Sequence, residues 1–476
     1  MEQAKRPDDA GPFYLSAVFA LLLVPAALGS SQTIFNDGDV SWHIATGQWI
    51  LDHHAIPTTD PFSFTWAGKP WVAIEWLAEC LYASAYRLGG YSGVAALVTT
   101  ALMGLHAVVF LNAARYLRPW GAIGAIVAMD AVLIPMMLAR PHLLTWPLLA
   151  LWMWLMVRAR ERDRAPPLAA ALIMTPWANL HGGFVFGLLI AALFGFEALI
   201  AAPDRMRVVR QWGLFGLACA LAVCINGNGL EGVVHPVRFT GLKMLPFIDE
   251  WKPSSLSATP VFFAVLALTL ALTAWRRPRL PWVRWLLLGG MLGLALLQVR
   301  HQAMLAIIAA IVLPQGFARG TEVALEAERR RVMRLALPAM LVLVAVRAVM
   351  PMQLPDNEAN PWKLIAAVPP ALRSQPVLNA YSMGGPLILS GIRPYVDGRG
   401  DMYGDELILD YVEIIHGNKA AFDAAVRRWD IGWAILSDQN RKLIALLDRT
   451  PGWRRLYRDK VGVIYVREAA AQSSAS

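Results

Sequence analysis

The 476-residue chain is 57% hydrophobic and only 16% charged, with a mean hydropathy of +0.46. That balance excludes an ordinary soluble enzyme. A formal charge of +9 would suit a nucleic-acid partner, but the basic residues stand in short loops between apolar runs, as the positive-inside rule expects, and no nucleic acid is implied.

Apolar runs fall near 12–35, 91–113, 120–139, 142–157, 167–183, 184–202, 212–226, 259–275, 282–299, 302–318 and 335–350. Many approach the ~20 residues that cross a bilayer. They predict an all-α polytopic membrane bundle of about eleven transmembrane helices over residues 1–350. The first run is too long for a signal-peptide core and lacks a small-residue cleavage site, so it reads as a retained anchor. One set of loops carries Lys5 and Arg6, Arg115 and Arg118, Arg158 to Arg164, Arg205, Arg207 and Arg210, Arg276 to Arg284, and Arg319 to Arg334. These loops, and the N-terminus with them, are assigned to the cytoplasm. The opposite set is extracytoplasmic: loop 36–90, Arg140-Pro141-His142, Asn179 to Gly183, loop 226–258, Arg300-His301 and everything after Pro351.

Loop 36–90 predicts two amphipathic helices on the membrane surface. In the first, Asp39, His43 and Thr46 share a face at helical spacing; in the second, Glu75, Glu79, Tyr82 and Tyr86 do so. Trp42, Trp49, Trp71 and Trp76 suit an interfacial belt. Two buried polar residues, His106 and Asp130, lie mid-span at similar depth and are expected to pair, as intramembrane ionisable groups do.

Past Pro351 the charge rises and apolar runs shorten. Residues 376–379, 393–396, 431–436 and 461–467 read as strands and 405–416, 418–428 and 439–448 as helices, giving a small C-terminal α/β extracytoplasmic domain over 351–476 with a disordered-looking end at 469–476. Asp397, Arg399, Asp401 and Tyr403 suggest a turn network, and Arg399-Gly400-Asp401 as an adhesion tripeptide is discounted. Cys80, Cys219 and Cys224 form neither a disulfide framework nor a metal-ligand spacing.

The segment Asn36-Asp37-Gly38-Asp39-Val40-Ser41-Trp42-His43 sets two carboxylates and an imidazole at a bilayer edge, where they are costly unless solvated or paired, and so reads as a working site. With Asp60-Pro61-Phe62-Ser63-Phe64-Thr65, Pro70-Trp71, Glu75-Trp76-Leu77, Asp249-Glu250-Trp251-x-Pro253, Gly384-Gly385 and Asp397-Gly398-Arg399-x-Asp401-x-Tyr403, it resembles bacterial membrane proteins related to the GT-C glycosyltransferase superfamily. That resemblance implies a polyprenyl-phosphate-linked sugar donor in the bilayer and a glycan, lipid or protein acceptor at the outer face of a bacterial cytoplasmic membrane. It also implies essential acidic residues in the first external loop.

Inverting transfer needs a carboxylate base and cationic support for the leaving phosphate. Asp39 is the first candidate base; Asp37 is the alternative, or a ligand together with Asp39 if a divalent metal ion is the cofactor. His43, Glu75, Arg140, His142, His181, Glu250, Arg300 and His301 are candidates for binding substrate or donor phosphate. Arg238, Lys243 and Lys252 are weaker, and Asp52 with His53-His54 suits a polar turn. A lipid-linked glycan transporter and a non-catalytic assembly protein of the same fold remain as alternatives.

Overall fold

The computed structural model describes residues 10–318 and 326–468; Lys5, Arg6, Arg319 and the expected disordered end lie outside the described residues. Every apolar run becomes helix, and Pro119, Pro141 and Pro260 each open one, where the missing N–H costs nothing. Among the described residues seven helices are long and apolar enough to cross a membrane: Gly11–Gly29, Trp76–Tyr116, Pro119–Met136, Pro141–Glu161, Phe184–Ala201, Arg205–Val223 and Arg330–Val349. Four more apolar helices are shorter: Leu168–Leu180, Pro260–Arg276, Trp282–Leu297 and His301–Phe317. The chain is a multi-pass membrane protein; seven helices have the length of a crossing and four apolar helices are shorter, where apolar runs suggest about eleven spans.

Buried polar groups tie the helices together at two levels. At one end of the bundle, Arg284 donates from Nε and Nη2 to Glu197 at 2.9 Å each, and Arg160 Nε adds a third bond to Glu197 at 3.2 Å. Within the bundle, the expected pair forms: His106 Nε2 lies 3.0 Å from Asp130 Oδ2, and His106 Nδ1 lies 2.7 Å from the Leu102 carbonyl. The Leu102 carbonyl can only accept, so Nδ1 carries hydrogen and one further proton holds Nε2 and the carboxyl together. Asn at position 130 would still donate to Nε2, whereas Leu would leave the imidazole unpaired. Thermal unfolding in detergent should therefore show Asp130→Asn within about 1 kcal/mol of the parent and Asp130→Leu about 1–3 kcal/mol less stable.

The segment between the first two crossings differs from its expectation. Helix Asp39–His53 buries Val40 to Gly47 between the bundle and the C-terminal region rather than lying on a surface. The second helix is not separate: it is the start of Trp76–Tyr116, which bends at Gly89 and Gly90, the latter at φ 57°. Trp42 and Trp71, at 6% and 5% exposure, sit in a core shared with Tyr395, Tyr403 and Leu407, so they are packing residues and not belt residues.

The C-terminal region forms a four-stranded sheet of order β1-β2-β4-β3: β1 (Val377–Asn379), β2 (Trp433–Ser437), β3 (Trp453–Arg458) and β4 (Gly462–Arg467). β1 and β2 are parallel and the other pairs antiparallel. Residues 393–396 do not form the expected strand because Asn379 takes their backbone groups. Its Oδ1 accepts from Tyr395 N at 2.8 Å, and its Nδ2 donates to Val396 O at 2.8 Å. The edge strand β3, Trp-Arg-Arg-Leu-Tyr-Arg, hides its alternation behind three arginines.

Candidate functional site

A cavity of about 790 Å³ opens where the bundle meets the C-terminal region. Its lower wall is apolar, with Trp146, Leu149, Phe186, Leu294 and Met304. Its upper wall is polar and draws on widely separated stretches of chain, among them Asp39, Glu75, Arg140, His181, Arg300 and Asp401. Asp39 opens helix Asp39–His53, where the helix N-terminus favours a carboxylate, and Asp37 Oδ1 accepts the Asp39 N–H at 2.8 Å to shape the turn. The C-terminal region then closes on this turn from above. A methyl group on Gly398 would come within 1.9 Å of Asp39 Oδ1, and one on Gly38 within 2.0 Å of the Ser382 carbonyl. Only glycine permits either approach.

Arg140 lines the cavity among three carboxylates. Its Nη2 lies 2.6 Å from Asp37 Oδ2 and 2.6 Å from Asp39 Oδ2, and its Nη1 lies 3.1 Å from Glu250 Oε2. Arg140 and Glu250, both candidates for donor-phosphate binding, are paired with each other here, because positions 37, 39, 140 and 250 converge in the fold. Burial would raise the Glu250 carboxyl, but Arg140 and Arg300 outweigh it and leave Glu250 below its usual range. At Asp39 burial dominates over the attraction of Arg140, and its carboxyl is pushed up to about 7.

Arg300 is a second arginine lining the cavity. Its guanidinium stacks 4.3 Å over the Trp251 ring, and its backbone N–H donates to the Glu250 carbonyl at 3.0 Å. Among the described residues no carboxylate lies within ion-pair distance of it.

His43 and His181 contribute neutral imidazoles. His181 Nδ1 accepts from Gly183 N at 3.1 Å, which leaves Nε2 carrying hydrogen 3.7 Å from Glu75 Oε1. Burial first, then Arg300, holds the His181 imidazole well below its usual range, and burial with Arg140 does the same to His43. His43 and His181 are therefore not phosphate cations at neutral pH. Glu75, pushed by burial to about 8, keeps its proton there. His142 Nε2 faces the Met136 carbonyl at 3.2 Å and His301 Nε2 faces Gln298 Oε1 at 3.0 Å; both rings line the cavity.

Two cavity groups, His235 and Tyr381, escaped the sequence reading, and a third, Asp401, was read there only as part of a turn network. His235 Nε2 lies 3.2 Å from Asp401 Oδ2, linking helix Gly229–Phe239 to the C-terminal region. The available signals were weak: Asp401 belongs to a tripeptide with a chance rate too high to use, and His235 is one histidine in a long loop. Asp37, in contrast to Asp39, does not line the cavity.

The donor set does not fit a divalent metal ion. Among the described residues no group of three or more His, Cys, Asp or Glu side chains is arranged to hold one, and a guanidinium already bridges Asp37 and Asp39.

No family model and no curated protein matches the sequence. Its fold is similar to that of an oligosaccharyltransferase from Archaeoglobus fulgidus in the apo form, with a TM-score of 0.52 and 11% identity over 90% of this chain and 69% of that one. A likeness this distant in sequence is a likeness of fold alone.

Proposed function

We propose that the chain is a membrane glycosyltransferase that moves a sugar from a polyprenyl-phosphate-linked donor to a glycan, lipid or protein acceptor. The observation that carries this reading is the two-sided cavity, with an apolar floor inside the bundle and Asp39 and Arg300 on its polar wall. An isoprenoid chain suits the floor, and its phosphate suits the unpaired guanidinium. The acceptor hydroxyl gives its proton to Asp39 as its oxygen bonds to the anomeric carbon. The anomeric C–O bond to phosphate breaks, and polyprenyl phosphate leaves with the electron pair, stabilised by Arg300. Asp37 positions Asp39 and Arg140 and does not touch substrate.

In this reading residues 1–350 form the catalytic bundle and 351–476 an extracytoplasmic domain, in a bacterial cytoplasmic membrane with the N-terminus inside. Helix Gly229–Phe239 supports lateral access for a lipid: Leu230, Val234 and Val237 face outward at helical spacing while His235 and Phe239 line the cavity.

Arg300→Gln tests the phosphate assignment. Losing a charge-assisted contact to the leaving group should lower kcat/KM for release of polyprenyl phosphate by about 10–100-fold. Unchanged release at equal protein level, with unchanged envelope glycans in the source cells, would remove the reading.

A further inference from the structure

We propose that Arg140 is the resident cation of the Asp37–Asp39 pair, standing where a divalent metal ion would otherwise bridge the two carboxylates, and that the native chain takes no divalent ion there. The acidic pair has the composition of a metal site but not its vacancies. Asp37 Oδ1 is held by the Asp39 N–H at 2.8 Å, and Asp37 Oδ2 by Arg140 at 2.6 Å. Asp39 Oδ2 is held by the same guanidinium nitrogen, also at 2.6 Å. Only Asp39 Oδ1 stands outside these contacts, and the Gly398 backbone limits where it can turn.

A divalent ion needs several oxygens at about 2.0–2.6 Å around one point. Here the point between the two Oδ2 atoms is filled by nitrogen. The guanidinium is itself anchored by Glu250 Oε2, 3.1 Å from its Nη1. Arg140 precedes Pro141, the first residue of helix Pro141–Glu161, which fixes its backbone as well. A guanidinium offers the pair one positive charge spread over a plane, and it remains charged at any pH the protein meets. The acidic turn thereby has a fixed cation without a free ion.

The test is direct metal binding by the full-length protein in detergent, with Mn²⁺ followed by electron paramagnetic resonance. The native chain should show no stoichiometric Mn²⁺ up to roughly 1 mM, the weak end of protein sites. Arg140→Gln should bind one Mn²⁺ per chain at least about tenfold more tightly, and adding Asp37→Asn should abolish that site. Arg140→Lys, which keeps a cation, should stay closed. Mn²⁺ bound to the native chain and lost in Asp37→Asn would overturn the proposal, as would a folded Arg140→Gln that binds none. If Arg140→Gln fails to fold, the native titration with its Asp37→Asn control decides the question. The measurement uses no sugar donor, so its failure is distinct from failure of the glycosyltransferase reading.

Discussion

Asp39→Asn should lower sugar transfer by about 10²–10⁴-fold, the usual contribution of a positioned general base. The substitution is nearly isosteric, so Gly398 and Arg140 keep their places and the loss reports on proton transfer. The pH profile provides the sharper check. With the Asp39 carboxyl pushed by burial to about 7, kcat/KM in the native protein should rise with pH up to about 7 and then level. That limb should vanish in Asp39→Asn. It should survive in Glu75→Gln, because glutamine resembles the protonated acid that Glu75, at about 8, already is.

Linkage gives the same group a stability signature. Its folded-state carboxyl is raised above the unfolded value near 4, so the folded chain binds the extra proton between about pH 4 and 7 and loses stability as pH rises across that window. Asp39→Asn removes this loss. The variant's melting temperature relative to the native protein should therefore climb from pH 5 to 7. A native rate profile flat through pH 7, or a variant retaining the limb, would remove Asp39 from the role of base.

Which parts of this were legible in the sequence follows from the range of the interactions involved. The apolar runs specify helices because that signal is local, and Pro119, Pro141 and Pro260 mark their starts. Crossing length was less legible, since an apolar run of Pro260–Arg276 type belongs equally to a full span and to a shorter helix packed in the bundle. The i, i+4 spacing of Asp39 and His43 does bring both to the cavity. It could not reveal that their helix is covered by the C-terminal region, because that depends on Gly38 and Gly398 meeting chain hundreds of residues away. The partners of Arg140 were illegible for the same reason. A lone arginine before a helix looks like a free cation until Asp37, Asp39 and Glu250 are folded around it. Residues 393–396 carry strand composition, and only the side chain of Asn379 diverts their hydrogen bonds.

The largest stability effect is expected at Arg399, whose side chain is fully buried. It makes a bidentate pair with Asp397 at 2.7 Å from Nε and 2.7 Å from Nη2, and its Nη1 reaches Asp60 Oδ1 at 2.7 Å. Tyr403 donates to Asp397 Oδ2 at 2.6 Å, Ser63 N donates to Asp60 Oδ2 at 3.1 Å, and the Trp71 ring lies 4.8 Å from the guanidinium carbon. One side chain thus fastens the loop after the first crossing to the C-terminal region, and Gly398, its neighbour in sequence, is the residue pressed against Asp39.

Arg399→Ala leaves two carboxylates buried without their partner and should cost about 3–5 kcal/mol, read as a lower unfolding temperature in detergent. Arg399→Lys should recover little of it, since an ammonium cannot replace the planar fork. The triple replacement Asp60→Leu, Asp397→Leu, Arg399→Met removes every charge at once and should be more stable than Arg399→Ala, because the penalty lies in the orphaned carboxylates. It should nevertheless remain inactive. Apolar packing can restore the fold, but it does not restore the directional bonds that hold residues 397–399 in register with Asp39. Full activity in the triple variant would show that the clamp serves stability alone; Arg399→Ala as stable as the native protein would show that it does not serve even that.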